Sequence, residues 1–376
     1  MGIAGRRTRA LTAACAALTI TCVVAACGGD DGGGGAATGT TQGAAATGAD
    51  REIKVGAALI GPRNDKSFDQ AAYEGIRDIQ AKFPNFKLTS ALENRVDDQQ
   101  RVDAIETLAP VNDLVVSVSS SFGPVLDVEA PKFPNAYFLN IAGYTKTFQK
   151  NVTGFANDWG AMLYVAGVVA ANLTKTKTVG FVGGAEIPPT IQGLAGFKAG
   201  VRSVDPKLRI LENIVGDFND VAKAKNGTAA MIADGADVIF PFINGGLPGV
   251  YAAGRESGKN PGLFSQVIPD CGAYPNMVGT DFVDNQSIVK RLLTDYIEGR
   301  LKPGAFFLAL QEPDLQTLKL CPKYESNAKI AKVREDTIAA INDGKVKLPA
   351  AAVNPRPDYP YREGFDGPLQ NAGAGQ

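Results

Sequence analysis

Strand-length apolar runs alternate with helix-length amphipathic runs along most of this chain, and no other feature restricts its fold more. Strands that alternate with helices favour β-α-β units and a parallel sheet. Several apolar runs lack polar residues on either face, which is typical of strands covered by helices on both sides. The predicted strands are Ile53–Ile60, Leu114–Val118, Ala136–Ile141, Thr178–Val182, Arg209–Val215, Asp237–Phe242, Phe264–Ile268 and Ala305–Leu310. The predicted helices are Phe68–Phe83, Asp97–Leu108, Trp159–Leu173, Ile191–Val204, Val221–Ala233 and Leu247–Ser257.

A polar, glycine-containing stretch, Asn151–Trp159, separates two such series near the middle of the chain. The 376 residues are enough for two α/β lobes of ordinary domain size. In doubly wound sheets, ligands bind beside the carboxyl ends of the strands. The loops that follow each strand are therefore the places where a binding site is expected.

The composition excludes several classes of function. The chain has no histidine, which removes the Ser-His-Asp triad, histidine acid–base chemistry and the usual zinc ligand sets. Its 38 basic and 39 acidic residues give a net charge of −1, so no basic excess favours nucleic acid. The sequence has no HExxH, GxSxG or Walker A motif, and Ser287–Lys290 and Ser326–Lys329 match SxxK by chance. No catalytic residue, metal site or cofactor is predicted.

The amino terminus has the pattern of an export signal. Arg6, Arg7 and Arg9 precede an uncharged, apolar stretch that ends at Ala26, as in a signal peptide over residues 1–26. Val24–Gly28 (VAACG) resembles a bacterial lipobox, which predicts that Cys27 is lipidated. Residues 27–50 then form a flexible Gly/Ala/Thr linker. The expected location is the cell membrane, lipid-anchored and facing the extracytoplasmic side; an ordinary signal peptide with a chance cysteine is the alternative.

The body of the chain has two cysteines, Cys271 and Cys321. In an oxidising compartment they are able to form one disulfide bond. Two separate buried thiols are an equally acceptable interpretation, and the sequence leaves both open.

The first candidate binding loop, Gly61–Gln70, follows the first predicted strand and leads into a helix. Phe68 would stack on a flat ring, and Asp65 and Asp69 would accept hydrogen bonds from hydroxyl or amine groups. The alternative is structural: Asp65 or Ser67 caps the helix and Phe68 belongs to the core.

Further candidates follow strands of the second series. Gly184 belongs to a glycine pair that lets backbone approach a ligand closely, and Gly245 lies in a similar Asn-Gly-Gly loop. Phe218 lies close to Asp220 at a helix start, so its loop has the same pattern as the first loop. Phe68 and Phe218 are therefore predicted to clamp a planar ligand between the lobes. Asp270 follows another strand, where a carboxylate would meet sugar hydroxyls. Helix capping and solvated turns are the structural alternatives for these loops.

Four blocks of sequence resemble the basic membrane protein family of substrate-binding lipoproteins, which includes purine nucleoside receptors. They are Asp65–Gly75 (DKSFDQAAYEG), Thr174–Pro188 followed by Gly196–Val201, Gly216–Lys225 (GDFNDVAKAK) and Gly235–Ala253. The resemblance covers roughly Ile53 to Pro349 and keeps the family's order. Asp69, Asn140, the run Asp270–Ala273 and Val283 depart from its pattern at expected ligand contacts.

The resemblance implies a type I periplasmic-binding-protein fold, with two doubly wound α/β lobes joined by a hinge of three crossovers. The expected amino-terminal lobe is 51–157 plus 276–304, the carboxyl-terminal lobe is 158–275 plus 305–349, and 350–376 form a loosely ordered tail. It implies aromatic residues that sandwich a nucleoside base, matching Phe68 and Phe218, with Asp65, Asp69 and Asp270 as polar partners. It also implies an ABC permease and an ATPase on separate chains.

Three functions compete at this stage. The leading hypothesis is a capture protein for an ABC importer, with a nucleoside-like small molecule as the ligand. The second is a ligand-sensing receptor head of the same fold that is not coupled to transport. The third is a surface enzyme that acts through paired carboxylates such as Asp65 and Asp69.

Overall fold

The computed structural model describes residues 51–365, 367 and 369–370. The predicted signal peptide, Cys27 and the linker to residue 50 lie outside the described residues. The described chain folds into two lobes, each built on a mixed, mostly parallel sheet. Sequence and structure therefore agree on a two-lobed α/β architecture.

The first lobe is built on an eight-stranded sheet. Its strands are β1 (Ile53–Leu59), β2 (Phe86–Leu92), β3 (Leu114–Val118), β4 (Tyr137–Ile141), β5 (Val152–Asn157), β11 (Gly304–Leu308), β13 (Tyr361–Glu363) and β14 (Leu369–Gln370). Their spatial order is β14-β13-β11-β5-β4-β3-β1-β2. All neighbours pair in parallel except β13 and β14.

The second lobe is built on a six-stranded sheet. Its strands are β6 (Thr178–Gly183), β7 (Arg209–Ile214), β8 (Val238–Phe242), β9 (Gly262–Val267), β10 (Met277–Val283) and β12 (Gln316–Leu320). Their spatial order is β12-β10-β9-β8-β6-β7, and only β10 and β12 are antiparallel. β6, β8 and β9 are buried along their whole length, because helices cover both faces of a parallel sheet.

Helices connect the strands and cover the sheets. They are α1 (Phe68–Lys82), α2 (Asp98–Leu108), α3 (Phe122–Glu129), α4 (Trp159–Leu173), α5 (Pro188–Val204), α6 (Val221–Ala233), α7 (Leu247–Glu256), α8 (Asn285–Ile297), α9 (Pro322–Glu325) and α10 (Ala328–Asn342). Asp158, Asp220 and Asp284 cap α4, α6 and α8 by accepting a backbone N–H three residues further on, which satisfies a donor that the helix itself leaves unpaired. No helix in the described part of the chain is long and apolar enough to cross a membrane.

Glycines let α4 and α5 pack at unusually short distance. A Cβ atom at Gly196 would lie 2.1 Å from the carbonyl oxygen of Gly160, and a Cβ at Gly200 would lie 2.1 Å from that of Tyr164. Only glycine permits this backbone approach. α4 is buried along nearly its whole length, including its first residue, Trp159.

Hydrogen bonds join the segments that cross between the lobes. The Asp158 N–H donates to the Leu308 carbonyl and the Asp284 N–H to the Leu315 carbonyl, both at 2.8 Å. Asn157 Nδ2 donates to Gln316 Oε1, also at 2.8 Å. The crossovers after β5, after β10 and after β11 therefore form one connected hinge.

The predicted lobe boundaries need three corrections. Residues 276–304 were assigned to the first lobe, but β10 pairs with β9 in the second sheet. Residues 305–349 were assigned to the second lobe, but β11 pairs with β5 in the first. The predicted loose tail 350–376 contains a 3-10 turn at Ala350–Ala352 and β13, which pairs with β11. An apolar strand has the same pattern in either sheet, so only tertiary pairing decides its lobe.

The predicted polar break, Asn151–Trp159, is also corrected by the structure. Val152–Asn157 forms β5, which is buried along its whole length. Thr153 Oγ1 donates to the Lys302 carbonyl at 2.8 Å, and the amide of Asn157 is bonded to the third crossover. Distant partners bind the Thr153 hydroxyl and the Asn157 Nδ2, which allows the segment to be a central strand. Asn157 Oδ1 has no partner among the described residues.

Cys271 and Cys321 form a disulfide bond, with Cα atoms 5.6 Å apart. The bond joins the loop between β9 and β10 to the residue that follows β12. Cys321 N–H also donates to the Val278 carbonyl at 2.9 Å, near the start of β10. Of the two interpretations that the sequence left open, the structure selects the disulfide.

The disulfide closes a loop with a sequence separation of 50 residues. We expect the double variant Cys271→Ser/Cys321→Ser to lower the free energy of unfolding by roughly 4 kcal/mol in the chain-entropy model. Urea unfolding followed by the fluorescence of Trp159 measures the change. A reductant should destabilise the wild type and leave the double variant unchanged; equal stability of the two oxidised proteins would contradict the expectation.

Candidate functional site

A cleft lies at the carboxyl ends of strands from both sheets. It encloses about 60 Å³ of cavity within a region of about 470 Å³ that includes open solvent. Its walls are mostly apolar: Ile60, Phe68, Ala142, Trp159, Ile187, Pro189, Phe218 and Phe242. Its polar lining residues are Ser119, Ser120, Asn244 and Gln266. None of the described lining residues carries a charge.

Phe68 belongs both to the core and to the cleft. It is the first residue of α1, is 8% exposed and lines the cleft from the first lobe. The Asp65 carboxylate holds this turn by accepting N–H bonds from Ser67 at 2.8 Å, Asp69 at 3.2 Å and Gln70 at 3.0 Å. Asp65 therefore caps the start of the helix, which was the structural alternative, and it does not line the cleft.

Asp69 is fully buried beneath the same loop. Its two carboxylate oxygens accept the N–H groups of Ile60 and Gly61, each at 3.2 Å. Burial, and next the charge of Asp65, raise the pKa of Asp69 well above its usual range, and these two N–H groups oppose the shift. Burial also raises the pKa of Asp65, against the hydrogen bonds from the helix start. Both predicted ligand acceptors are thus engaged with backbone.

Phe218 lines the cleft from the second lobe, and three loops hold it. Its carbonyl accepts the N–H groups of Asn244 at 3.1 Å and Gly246 at 3.0 Å. Its ring fills the space that a side chain at Gly184 would need, since a Cβ there would lie 2.2 Å from Phe218 Cδ1. The predicted glycine at 184 therefore positions the aromatic ring directly.

The residues beside Phe218 complete this arrangement. Asn219 Oδ1 accepts the N–H of Gly245 at 3.1 Å. A Cβ at Gly61, in the first lobe, would lie 3.3 Å from Asn219 Nδ2, so the lobes approach closely here. Asp220 caps α6 through the Lys223 N–H at 2.9 Å, and this bond lowers the pKa of Asp220. Gly245 and Asp220 support the loop and do not line the cleft.

The predicted contact at Asp270 is not in the cleft. β9 ends at Val267, and Asp270 is exposed in the following loop. Its neighbour Cys271 is bonded to Cys321, which lies near the amino end of β10, remote from the cleft. At this strand end the cleft is lined instead by Gln266, which is 2% exposed. Its Oε1 has no hydrogen-bond partner among the described residues.

Two other positions where the family resemblance led us to expect contacts are buried inside strands. Asn140 is fully buried in β4, where its Oδ1 accepts from Ser117 Oγ at 3.2 Å. Val283 is the last residue of β10 and is 2% exposed. Neither lines the cleft. Among the described residues, no group of three or more Asp, Glu or Cys side chains is arranged to hold a metal ion.

Backbone in the left-handed region is concentrated at the strand ends around the cleft. Ser119 has φ 145° after β3, Ala142 has φ 65° after β4, and Val267 has φ 61° at the end of β9. Non-glycine residues rarely adopt such angles, and strained backbone often occurs at ligand sites. Ser119 and Ala142 themselves line the cleft, and Val267 follows Gln266.

Sequence reasoning missed several lining residues. Ser119 and Ala142 directly follow predicted strands, so the strand-end rule was sufficient to find them. Trp159 was predicted only as a helix start, yet it packs edge-on against Phe242 with ring centroids 5.1 Å apart. Trp159 carried no sequence signal for the cleft, because its place there depends on how the two lobes are arranged.

Comparison with known proteins identifies similar sequences. Residues 53–307 match the family model described as ABC transporter substrate-binding protein, PnrA-like. A purine-binding protein of Brucella abortus (strain 2308) is 30% identical over 313 residues, covering 80% of this chain and 84% of that protein. A nucleoside-binding protein of an ABC transporter in Lactococcus lactis subsp. cremoris is 32% identical over 206 residues, covering 52% of this chain and 57% of that protein.

Solved structures show the same fold. A solute-binding protein of an ABC transporter from Aeropyrum pernix K1 superposes with a TM-score of 0.67 at 20% identity, covering 79% of this chain and 94% of that protein. A solute-binding protein from Conexibacter woesei gives a TM-score of 0.58 at 21% identity, over 80% and 99% of the two chains. The expected type I periplasmic-binding fold is thereby confirmed.

The packing of Gly184 against Phe218 can be tested by adding one methyl group. Gly184→Ala should lower the free energy of unfolding by about 1–3 kcal/mol, because the Cβ would overlap the aromatic ring. Gly272→Ala is the matched control, since a Cβ there meets nothing within 4 Å, and it should change stability by less than about 0.5 kcal/mol. Urea unfolding measures both; equal effects would refute the assigned contact.

Proposed function

Because the chain belongs to the PnrA-like family of ABC transporter substrate-binding proteins, we propose that its cleft captures a nucleoside for an importer. Members of this family bind and deliver ligands, and the chain is not an enzyme. The permease and the ATPase of such a system would be separate chains. The Brucella relative is a purine-binding protein and the Lactococcus relative is a nucleoside-binding protein, which supports this ligand class.

One observation carries the ligand assignment: Phe68 from the first lobe and Phe218 from the second line the same cleft. Each ring is held by its own loop, Phe68 by the capped start of α1 and Phe218 by Gly184 and the 244–246 loop. Pre-positioned aromatic rings bind flat bases by stacking, which contributes about 1–3 kcal/mol per base. A purine base between the two rings is the arrangement that we propose.

The polar groups of the cleft favour an uncharged ligand. Ser119, Ser120, Asn244 and Gln266 offer hydroxyl and amide groups, which suit the base edge and the ribose hydroxyls of a nucleoside. No cationic side chain is among the described lining residues, whereas phosphate recognition normally uses Arg or Lys. We therefore expect nucleosides to bind and their 5′-monophosphates to be rejected.

Closure of the two lobes is the proposed mechanism of capture. The close approach of Asn219 to Gly61 across the cleft mouth supports a closed arrangement. Each lobe supplies one aromatic wall, so a ligand between them would favour the closed state over the open one. The bonded crossovers at Asn157, Asp158 and Asp284 would act as the hinge.

We also propose that Cys27 carries the lipid that holds the protein at the outer face of the membrane. The support is in the sequence alone: a basic start, an apolar segment, the VAAC-Gly run and a flexible linker to residue 50. At least two acyl chains are needed for stable anchoring. The binding lobes would then be tethered where extracellular solutes arrive.

Titration calorimetry with guanosine, adenosine and inosine tests the ligand class. Phe68→Ala and Phe218→Ala should each weaken binding by about 5- to 150-fold, the equivalent of losing 1–3 kcal/mol of stacking. Phe148→Ala is the matched control, because Phe148 is 45% exposed and does not line the cleft. If no nucleoside binds, or if the three variants bind equally well, the proposed ligand is wrong.

Charge selectivity is tested in the same instrument. We expect each 5′-monophosphate to bind at least 100-fold more weakly than its nucleoside, because burying an unpaired phosphate in an uncharged cleft is costly. Comparable affinities of a nucleoside and its 5′-monophosphate would contradict the proposed uncharged site, because the phosphate would then have a cationic partner.

The lipid anchor is tested by Cys27→Ser in the bacterial host. The variant should lose labelled palmitate and move from the membrane fraction to the soluble extracytoplasmic fraction. Cys22→Ser, within the same apolar segment, is the matched control and should keep the label. Retention of the label by Cys27→Ser would place the lipid on another residue and overturn the assignment.

A further inference from the structure

The chain makes a tight turn where β9 enters the cleft wall. The Ile268 N–H donates to the Gln266 carbonyl at 2.7 Å, and Val267 between them has φ 61°. A hydrogen bond from residue i+2 to residue i defines a γ-turn, and the form with positive φ at its centre is rare and strained. The turn begins at Gln266, whose side chain lines the cleft.

The residue at the centre of this turn makes the strain greater. Val267 is β-branched, and such residues with positive φ are true outliers. Its side chain is fully buried, so the turn cannot relax simply by rotating that side chain into solvent. A conformation of this kind persists only when surrounding contacts enforce it.

Asp281 supplies a contact that enforces the turn. It lies on β10 opposite Gln266 in the parallel register, and its Oδ1 accepts the Val267 N–H at 3.0 Å. Asp281 is fully buried, and its Oδ2 has no hydrogen-bond partner within the described ranges. Burial raises the pKa of this carboxyl well above its usual range.

A buried carboxyl group without a cationic partner destabilises a fold. Among the described residues, the Asp281 carboxyl accepts one hydrogen bond, from the Val267 N–H. The neighbouring Gln266 Oε1 is likewise buried without a partner among the residues described, and Gln266 lines the cleft.

We propose that Asp281 is a positioning residue for ligand specificity. By holding the Val267 amide it maintains the strained turn, and the turn sets the Gln266 side chain in the cleft wall. Gln266 Oε1 then accepts a hydrogen bond from a donor on the ligand, such as an amine or amide N–H of a purine or a ribose hydroxyl. This inference rests on the proposed nucleoside function.

A double-mutant cycle tests whether Asp281 acts through Gln266. With guanosine as the probe, Asp281→Ala and Gln266→Ala should each weaken binding about tenfold by calorimetry. In the Gln266→Ala background, adding Asp281→Ala should change the affinity by less than twofold, because the group that it positions is already absent. A full tenfold loss in that background would overturn the proposal, and so would wild-type affinity in folded Asp281→Ala.

Two further variants separate the turn from general stability. Asp281→Asn keeps an acceptor oxygen for the Val267 N–H and should bind guanosine within about threefold of wild type. Val267→Gly removes the steric cost of positive φ, so Asp281→Ala/Val267→Gly should recover most of the affinity lost in Asp281→Ala. If Asp281→Asn binds as weakly as Asp281→Ala, and Asp281→Ala/Val267→Gly recovers no affinity, then Asp281 does not act by holding this turn.

Amide hydrogen exchange gives a readout that needs no ligand. In folded protein, Asp281→Ala should speed exchange at Val267 and Ile268 at least tenfold. Asp237→Ala is the matched control in the same lobe: its carboxylate accepts the N–H groups of Lys175 and Thr176 at the end of the sheet away from the cleft. It should leave exchange at Val267 and Ile268 unchanged.

The two arms distinguish failure of the inference from failure of the proposed function. If the wild type binds no nucleoside but Asp281→Ala still speeds exchange at the turn, the nucleoside assignment falls and the hold of Asp281 on the turn stands. If exchange at Val267 and Ile268 is the same in Asp281→Ala as in wild type, the positioning role is refuted whatever the cleft binds.

Discussion

The hydrogen bonds that join the interlobe crossovers determine how the two lobes are placed around the cleft. Asn157 and Gln316 link the first crossover to the third, and the Asp284 N–H links the second to the third. The Asn157–Gln316 bond is buried, where a lost partner leaves an unsatisfied polar group that costs about 1–3 kcal/mol. The two sheets are therefore held with their carboxyl strand ends toward one cleft, while rotation about the hinge remains available.

Charged and neutral groups have different roles around the cleft. Asp65, Asp69 and Asp220 lie in or beside the binding loops, yet their carboxylates accept backbone N–H groups that shape those loops. Hydroxyls, amides and aromatic rings form the surface that a ligand would touch. Charge thus stabilises the loops, and the surface they present remains neutral, which suits a flat uncharged molecule better than an ion.

Much of the site was predictable because it follows strand ends. Phe68, Phe218 and the Asn244–Gly246 loop were found by that rule, and Gly184 supports the ring of Phe218. Asp270 was misplaced because the sequence does not show that the Cys271–Cys321 bond holds its loop away from the cleft. Gln266 and Trp159 were overlooked, since an amide within an apolar strand and an aromatic residue at a helix start resemble ordinary structural residues.

The sequence by itself determined the alternating β-α order, the burial of the central strands, the absence of histidine chemistry and the two aromatic loops, because these depend on local periodicity and residue type. The tertiary structure decided which sheet β10 and β11 join, that Val152–Asn157 is a buried strand, and that Cys271 and Cys321 are bonded. Such features require partners far apart in the chain. The buried Asn157 side chain donates its Nδ2–H to Gln316, which lies 159 residues away, and no local pattern shows that partner.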